Sequence, residues 1–256
     1  MISKCIEHDA CRYDGSMIAS RFVKDLSPYV TFVPVCPEVA IGLTVPREAL
    51  RIVREEGLQK LVTSLSGSDY TKQMTDFSET YCQSLDFEGF HGVILKSRSP
   101  SCGIKDVKTY GKIGKASCLP EKSEGFFGAS VMHHHPYLAV EDEGRLLNYG
   151  IREHFLTRIF VAARFEEVKT RNTMAALVQF HSENKYLLMA YHQTEQKNLG
   201  KVVANHEKLS LASVLSEYEI HLKKALYRPM KKGRNTNMIL HIFGYVSKAL
   251  TPEEKA

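Results

Sequence analysis

Three short apolar runs in the first half of the chain each end at a cysteine, and this feature limits the possible folds most. The runs with their cysteines are Met1–Lys4 with Cys5, Val30–Val35 with Cys36, and Gly92–Lys96 with Cys102. A single free cysteine is usually a buried structural thiol. Three strand-like runs with the same ending indicate instead that the thiols share one site.

The segments around these runs alternate between strand and helix patterns. Besides the three runs, the pattern predicts a helix from a capping Ser16 to about Leu26, a helix over Arg47–Glu56 between Pro46 and Gly57, a brief strand over Leu61–Ser64, and a helix over Ser68–Leu85. Such alternation predicts an α/β fold: an open, mainly parallel, Rossmann-like sheet in a three-layer domain. Ligands of such sheets bind beyond the carboxyl ends of the strands, where the three cysteines would lie.

From about Leu146 the strand patterns stop, and helical patterns fill the rest of the chain. The predicted helices are Tyr149–Val168, Thr173–Ser182, Lys185–Lys197, Leu199–Leu209, Leu211–Tyr227 and Asn237–Leu250. We place the domain boundary near the polar segment Glu141–Arg145. The sequence therefore predicts an α/β domain over residues 1–147 and an all-α helical domain over residues 148–256.

The net charge of +5 is unevenly distributed along the chain. Residues 145–256 contain 18 basic and 10 acidic residues, a net charge of +8, whereas residues 1–144 carry −3. This asymmetry makes the second domain a candidate to meet a polyanion. Its most compact basic segment is the loop of Lys231, Lys232 and Arg234, although an isolated run of this kind is usually only solvated.

Cysteine usage and hydropathy exclude several classes of protein. No apolar run approaches the roughly 20 residues that span a bilayer, and the N-terminus is too polar for a signal peptide. We therefore expect a cytoplasmic protein with no membrane association. Six cysteines in such a protein indicate reduced thiols or metal ligands rather than disulfides. The absence of a CxxC pair disfavours zinc-finger and thioredoxin sites.

Three thiolates suit an iron–sulfur cluster. A 4Fe–4S cube normally takes four cysteines, so three would leave one iron open to substrate. A zinc ion on three cysteines is the competing interpretation. Cys11 could also act as a fourth ligand and close the cluster. Cys82 and Cys118 do not follow predicted strands, and we predict that neither is a ligand.

Two sets of motifs resemble known families. Over residues 1–147 the chain resembles the TudS-like thiouracil desulfidases, through Ser3-x-Cys5, Arg12-Tyr13-Asp14-Gly15, Pro34-Val35-Cys36-Pro37-Glu38, Gly42-Leu43-x-x-Pro46-Arg47, Leu95-Lys96-Ser97-x-Ser99-Pro100-Ser101-Cys102-Gly103 and Glu143-Gly144-Arg145-Leu146. The second half is similar to the YbgA-like domain, through Arg152-Glu153-x-Phe155, Phe180-His181, Lys185-Tyr186-Leu187-Leu188-Met189-Ala190, Leu199-Gly200, Asn237 and His241-x-x-Gly244-Tyr245. The fusion resembles the RudS-type desulfidases of 4-thiouridine in transfer RNA.

The resemblance implies an enzyme with a 4Fe–4S cluster held by Cys5, Cys36 and Cys102. The role of the cluster would be non-redox: the open iron would accept the sulfur of the thiocarbonyl, which becomes a carbonyl while sulfide is released. Glu38, two residues after a ligand, would be the general acid/base.

Three more side chains are predicted to serve the same reaction. Ser99 and Ser101 would hold the water or the ring atoms of the base. Asp14 would be a second catalytic carboxylate, although a turn residue beside Gly15 explains it equally well.

The resemblance also implies a nucleic-acid partner, a tRNA that contains 4-thiouridine. Phosphate contacts are predicted for Arg12, Lys231, Lys232 and Arg234. Arg12 could instead form an ion pair with an acidic loop residue, and this bracing role is the one we favour for Arg47. No obligatory protein partner is evident. Two other functions stay open: a desulfidase of free thiolated nucleobases, and a non-catalytic, metal-bearing RNA-binding protein.

Overall fold

The computed structural model describes residues 1–84, 89–247 and 249–255. It divides into two units, Met1–Phe155 (unit 1) and Leu156–Ala256 (unit 2). The division falls inside a long helix that begins at Tyr149. The boundary predicted between residues 147 and 148 lies just before this helix and stays a prediction.

Strands and helices alternate along unit 1. In chain order the strands are β1 (Ile2–Ser3), β2 (Pro34–Val35), β3 (Leu50–Glu55), β4 (Leu58–Thr63), β5 (Gly92–Leu95), β6 (Val107–Tyr110), β7 (Cys118–Ser123) and β8 (Ala139–Asp142). The helices are α1 (Arg21–Leu26), α2 (Pro37–Ala40), α3 (Thr71–Ser84), α4 (Phe126–His134) and the first residues of α5 (Tyr149–Arg171).

The first of two sheets is parallel throughout, in the order β2-β1-β5-β8. Strand β1 is central to the site because it pairs with β2 through Ser3↔Val35 and with β5 through Ile2↔Ile94. The carboxyl ends of these strands therefore lie at one edge of the sheet. This sheet confirms the predicted α/β class.

The second sheet has the order β4-β3-β6-β7 and was not expected. Its β3–β6 pair is parallel, and its other two pairs are antiparallel. The predicted helix over Arg47–Glu56 was wrong, because Leu50–Glu55 forms β3. Glu56 (φ 50°) and Gly57 (φ 82°) form the two-residue turn into β4, and positive φ at both turn positions is what a tight hairpin requires.

Both sheets and helices α3 and α4 contribute to one hydrophobic core. Its fully buried members include Ile52 of the second sheet, Leu95 of the first sheet, Met74 of α3 and Phe127 of α4. Burial of this apolar surface is the main force that holds the two sheets and the two helices together.

Two helix predictions in unit 1 need comparison with the structure. Helix α1 ends at Leu26 as predicted but begins at Arg21, because Ser20 rather than Ser16 caps it and accepts a bond from Val23 N. Helix α3 confirms most of the prediction over Ser68–Leu85, and Leu85 itself lies outside the described residues.

The described part of unit 2 is helical, which confirms the predicted all-α character. Its helices after α5 are α6 (Met174–Tyr191), α7 (Gln193–Ala204), α8 (Leu211–Ala225), α9 (Lys232–Val246) and α10 (Pro252–Lys255). The predicted break between Ser182 and Lys185 was wrong, because α6 runs through it. The last predicted helix begins at Lys232 instead of Asn237, and Lys248 lies outside the described residues.

The core of unit 2 is built around aromatic rings from three helices. Phe165 of α5 stacks on Tyr218 of α8 with ring centroids 5.4 Å apart, and Phe180 of α6 meets both rings. Such pairs add specific geometry to the burial of apolar area. Across residues 1–84, 89–247 and 249–255, no helix combines the length and the apolar character that crossing a membrane demands.

Candidate active site

The carboxyl edge of the parallel sheet borders a cavity of about 240 Å³. Cys5 follows β1, Cys36 follows β2 and begins the turn into α2, and Cys102 lies in the loop after β5. All three line the cavity, as does Cys11. The structure therefore brings together the three cysteines that were predicted to share a site and adds a fourth thiol beside them.

These thiols lie in surroundings that disfavour their ionised form. Burial raises the pKa of Cys5 and of Cys11 to about 12, and the neighbouring Cys36 adds to both effects. Burial also raises the pKa of Cys102 well above its ordinary value. Because a metal binds the thiolate, a metal group that enters this cavity must displace the thiol protons.

The donor set fits an iron–sulfur cluster. Each thiolate of an iron–sulfur cube binds a different iron, so a cluster can be held by cysteines from three separate loops. Cys5, Cys36 and Cys102 come from three such loops and line one cavity, and this donor set fits a cluster. Within the described ranges, no three His, Cys, Asp or Glu side chains are grouped to hold one metal ion.

The loop that carries Cys102 is fixed by the start of helix α4. Phe127 N donates to the carbonyl of Ser101 at 2.9 Å, and Gly125 N donates to the carbonyl of Gly103 at 2.7 Å. A Cβ at Gly128 would lie 2.6 Å from the Gly103 oxygen, so only glycine permits this approach. Gly125 and Gly128 could not be predicted from the sequence, because nothing local indicates which loop a helix will meet.

We expect Gly128→Ala to lower both thermal stability and the amount of metal bound per chain. The added methyl group must displace the cysteine loop, and overpacking of this kind costs about 1–3 kcal/mol. Thermal unfolding and metal analysis measure the two effects. The matched control is Gly200→Ala in α7, where the nearest atom would lie at an ordinary 3.8 Å. Equal behaviour of the two variants would contradict the expectation.

Glu38 lies on the cavity wall with its carboxylate held by three donors. Arg47 donates to Oε2 from Nε at 2.9 Å and from NH2 at 2.6 Å, and Ser101 Oγ donates to Oε1 at 2.8 Å. The side chains of Glu38 and Arg47 are 14% and 5% exposed, so this pair is largely removed from water. Arg47 also donates to the carbonyl of Cys11 at 3.0 Å. It therefore makes the bracing contacts that the sequence favoured for it.

A second charged group on the cavity wall had no predicted role. Lys96 Nζ lines the cavity and donates to Glu143 Oε1 at 2.8 Å, and Ser97 N donates to Glu143 Oε2 at 2.7 Å. These residues follow the paired ends of β5 and β8, where Leu95 lies opposite Asp142. The rule that sites form beyond the ends of parallel strands could therefore have found them.

The predicted serines and Asp14 lie in different positions relative to the cavity. Ser99 lines it and accepts bonds from the amides of Ser101 and Cys102 at 3.2 and 3.1 Å. Ser101 is fully buried and reaches the cavity through Glu38. Asp14 is exposed and does not line the cavity; hydrogen bonds from Ser16 lower the pKa of its carboxyl group. The structure thus favours the turn role for Asp14.

The predicted phosphate-binding residues divide between the two units. Arg12 lines the cavity and donates to Ser16 Oγ at 2.8 Å. Lys231 and Lys232 are exposed at the start of α9 in unit 2. Arg234 donates to the carbonyl of Tyr191, so part of its guanidinium serves the packing of α9 on α6.

Comparison with protein families decides the relationship that the motifs indicated. The family model described as 2-thiouracil desulfurase matches residues 1–143. The chain belongs to this family. A second model, described as a protein of unknown function (DUF1722), matches residues 185–256. The resemblance of each half of the chain is thereby confirmed.

Individual relatives match one half or the other. The uncharacterised YbbK of Bacillus subtilis is 34% identical over 110 residues, which cover 40% of this chain and 72% of the relative. The uncharacterised YbgA of Escherichia coli is 28% identical over 102 residues, 39% of this chain and only 60% of the relative's length. A solved structure, the [4Fe-4S]-dependent thiouracil desulfidase TudS, is 29% identical, with a TM-score of 0.44 over 57% of this chain and 91% of that chain.

Proposed function

We propose that the protein is an iron–sulfur-dependent, non-redox desulfidase that converts 4-thiouridine in tRNA to uridine. The observation that carries the proposal is the meeting of Cys5, Cys36, Cys102 and Glu38 on one cavity of a 2-thiouracil desulfurase family member. The three cysteines would hold a 4Fe–4S cluster, the cofactor named for TudS. That cluster would supply, at the iron without a cysteine, a Lewis acid for the thiocarbonyl sulfur.

The residues of the chain have two tasks in this reaction: Glu38 transfers protons, and Arg47 and Ser101 orient Glu38. The net change is a hydrolysis, in which a C=S bond and water become a C=O bond and hydrogen sulfide, and no electrons are transferred. Glu38 takes a proton from the attacking water and returns it to the departing sulfur or to the ring nitrogen. Arg47 and Ser101 keep the carboxylate of Glu38 in one orientation, because together they occupy both of its oxygens.

The tRNA substrate is supported by the charge of the second half of the chain. A thiolated base within folded RNA must be reached by phosphate contacts and local unstacking, which a cavity for one base does not provide. Residues 145–256 carry the required excess of +8. Lys231 and Lys232 are exposed side chains of this part that are free of the packing role seen for Arg234.

We expect Lys231→Gln together with Lys232→Gln to weaken tRNA binding while conversion of a free thiolated base stays unchanged. Each lost phosphate contact should reduce the slope of log affinity against log salt by about 0.7–0.9. Titration of the protein with tRNA at several salt concentrations measures this slope. Lys208→Gln with Lys223→Gln removes the same charge elsewhere in unit 2 and serves as the control. If both double variants had the wild-type slope, the assigned contacts would be wrong.

The proposed function is tested with the full chain, reconstituted anaerobically with iron and sulfide. Loss of thiobase absorbance is followed with tRNA that contains 4-thiouridine and with free thiouracil, and uridine is identified in the tRNA digest. Conversion of the tRNA-borne base supports the proposal. Conversion of free thiouracil alone would favour the nucleobase desulfidase, and tRNA binding without conversion of either substrate would favour the non-catalytic RNA-binding protein.

A further inference from the structure

Four lysines on the β6–β7 hairpin differ from all other lysines of unit 1. The others each pair with a carboxylate: Lys4 with Asp9, Lys24 with Glu7, Lys60 with Glu55, Lys72 with Asp76, Lys96 with Glu143 and Lys105 with Asp106. The four on the hairpin, which we call the hairpin lysines, are Lys108, Lys112, Lys115 and Lys122. All four are exposed, and no carboxylate of the described residues forms an ion pair with them.

Two of the hairpin lysines lie directly opposite each other. Lys108 of β6 pairs in register with Lys122 of β7. Like charges at directly opposite positions destabilise a strand pair, so this arrangement does not serve the fold. The neighbouring Glu121 does not neutralise Lys122, because successive side chains of a strand point to opposite faces. A bound anion would remove the repulsion.

The tip of the hairpin is anchored to β3 and to the loop after β4. Arg51 NH1 donates to the carbonyl of Gly114 at 2.6 Å, and the side chain of Ile113 approaches Gly67 at the end of the β3–β4 hairpin. Leu50, the residue before Arg51, lines the cavity. Lys112 and Lys115 flank this anchored tip. An RNA that places one base in the cavity therefore lies against β3, the strand that pairs with the hairpin strand β6.

We propose that the hairpin lysines bind backbone phosphates of the RNA that carries the thiolated base. This inference rests on the proposed function and gives unit 1 a phosphate-binding surface of its own, although residues 1–144 have a net charge of −3. The chemistry favours phosphates because all four lysines are exposed and none pairs with a carboxylate of the described residues; Lys122 Nζ donates only to Cys118 Sγ at 3.0 Å and to the carbonyl of Leu119 at 3.4 Å. Contacts of this kind position the substrate and carry no sequence information.

The test compares two triple variants of the full chain. The first, Lys108→Gln, Lys112→Gln and Lys115→Gln, removes three of the four hairpin lysines. The matched control, Lys24→Gln, Lys60→Gln and Lys72→Gln, removes the same charge from paired positions. For the hairpin variant we expect the slope of log affinity for thiolated tRNA against log salt to fall by about 2–3. Its affinity should approach that of the wild type at high salt. Its thermal stability should not fall, since the Lys108–Lys122 repulsion is removed.

Each other result of this comparison would overturn the proposal in a distinct way. A hairpin variant with the wild-type slope would exclude the surface, and an equal loss in the control triple would show a general effect of net charge. Loss of binding to anionic lipid vesicles instead of tRNA would assign the surface to a membrane. A wild-type protein that converts free thiouracil but does not bind tRNA would end both this inference and the RNA substrate, and leave the desulfidase intact.

Discussion

Replacing Cys102 with alanine is expected to abolish the bound cluster and the desulfidation of every thiolated substrate together. Cys102 lies on the cavity wall, and its loop is held by hydrogen bonds from the first residues of α4. A cluster that loses one of three thiolate ligands exposes a second iron and is no longer retained. Iron content, visible absorbance and turnover measure the loss, and Cys5→Ala and Cys36→Ala should behave in the same way.

The control for this prediction is Cys82→Ala. Cys82 is a free thiol as deeply buried as Cys102, in the same hydrophobic core, but it lies on α3 away from the cavity. We expect this variant to keep its cluster and its activity, as we do for Cys118→Ala. Cys11→Ala should also keep both, because the proposal leaves one iron without a cysteine. A Cys102→Ala variant with a full complement of iron would show that the assigned ligands are wrong.

The second large effect is expected for Glu38→Gln, which should slow the chemical step by roughly 10²–10⁴-fold, the usual contribution of a general acid/base. The amide keeps the shape, since its oxygen can accept from Arg47 and its NH2 group can donate to Ser101 Oγ, but it cannot take up a proton. The cluster should remain, since Glu38 is not one of the assigned ligands. Single-turnover conversion of a thiolated base under anaerobic conditions measures the rate.

A matched control separates the chemistry from the loss of an ion pair. Glu141 accepts from Arg145 Nε at 2.7 Å and NH2 at 3.2 Å, and its side chain is 15% exposed, close to the value for Glu38. Glu141→Gln therefore disturbs a comparable arginine pair that does not line the cavity. We expect it to leave turnover unchanged. Unchanged single-turnover rates in Glu38→Gln would exclude Glu38 as the acid/base.

The sequence predicted the location of the site because that location follows from topology. Three strand-like runs that end in cysteine can bring their thiols together only if the strands are parallel neighbours, and β1 indeed pairs with both β2 and β5. The same logic extends to Lys96 and Glu143, which follow the neighbouring ends of β5 and β8.

The second sheet could not be predicted in the same way. Local signals at Pro46 and Gly57 are those of a helix start and a helix end, yet Leu50–Glu55 forms a strand. What decides the conformation is pairing on both sides, with β4 next along the chain and with β6 far along it. Tertiary pairing of this kind overrides local propensity and leaves no trace in the segment itself.

The hydrogen-bonding and packing partners of individual residues could not be predicted from the sequence either. Asp14 and Glu38 are both carboxylates in motifs of the family, but only Glu38 lines the cavity, where Arg47 and Ser101 hold it. Asp14 instead bonds to Ser16, two positions away. The contacts of Gly125 and Gly128 with the cysteine loop likewise join segments that are distant along the chain. Burial and packing fix these partners, and neither is a property of a motif.

The most direct test of the account is to count iron and acid-labile sulfide per chain after anaerobic reconstitution, and to assay the same sample on thiolated tRNA without any electron donor. We expect about four irons and about four sulfides per chain, as a 4Fe–4S cube contains, together with release of hydrogen sulfide and formation of uridine. One zinc per chain with no sulfide, or conversion that proceeds only when a reductant is added, would contradict it.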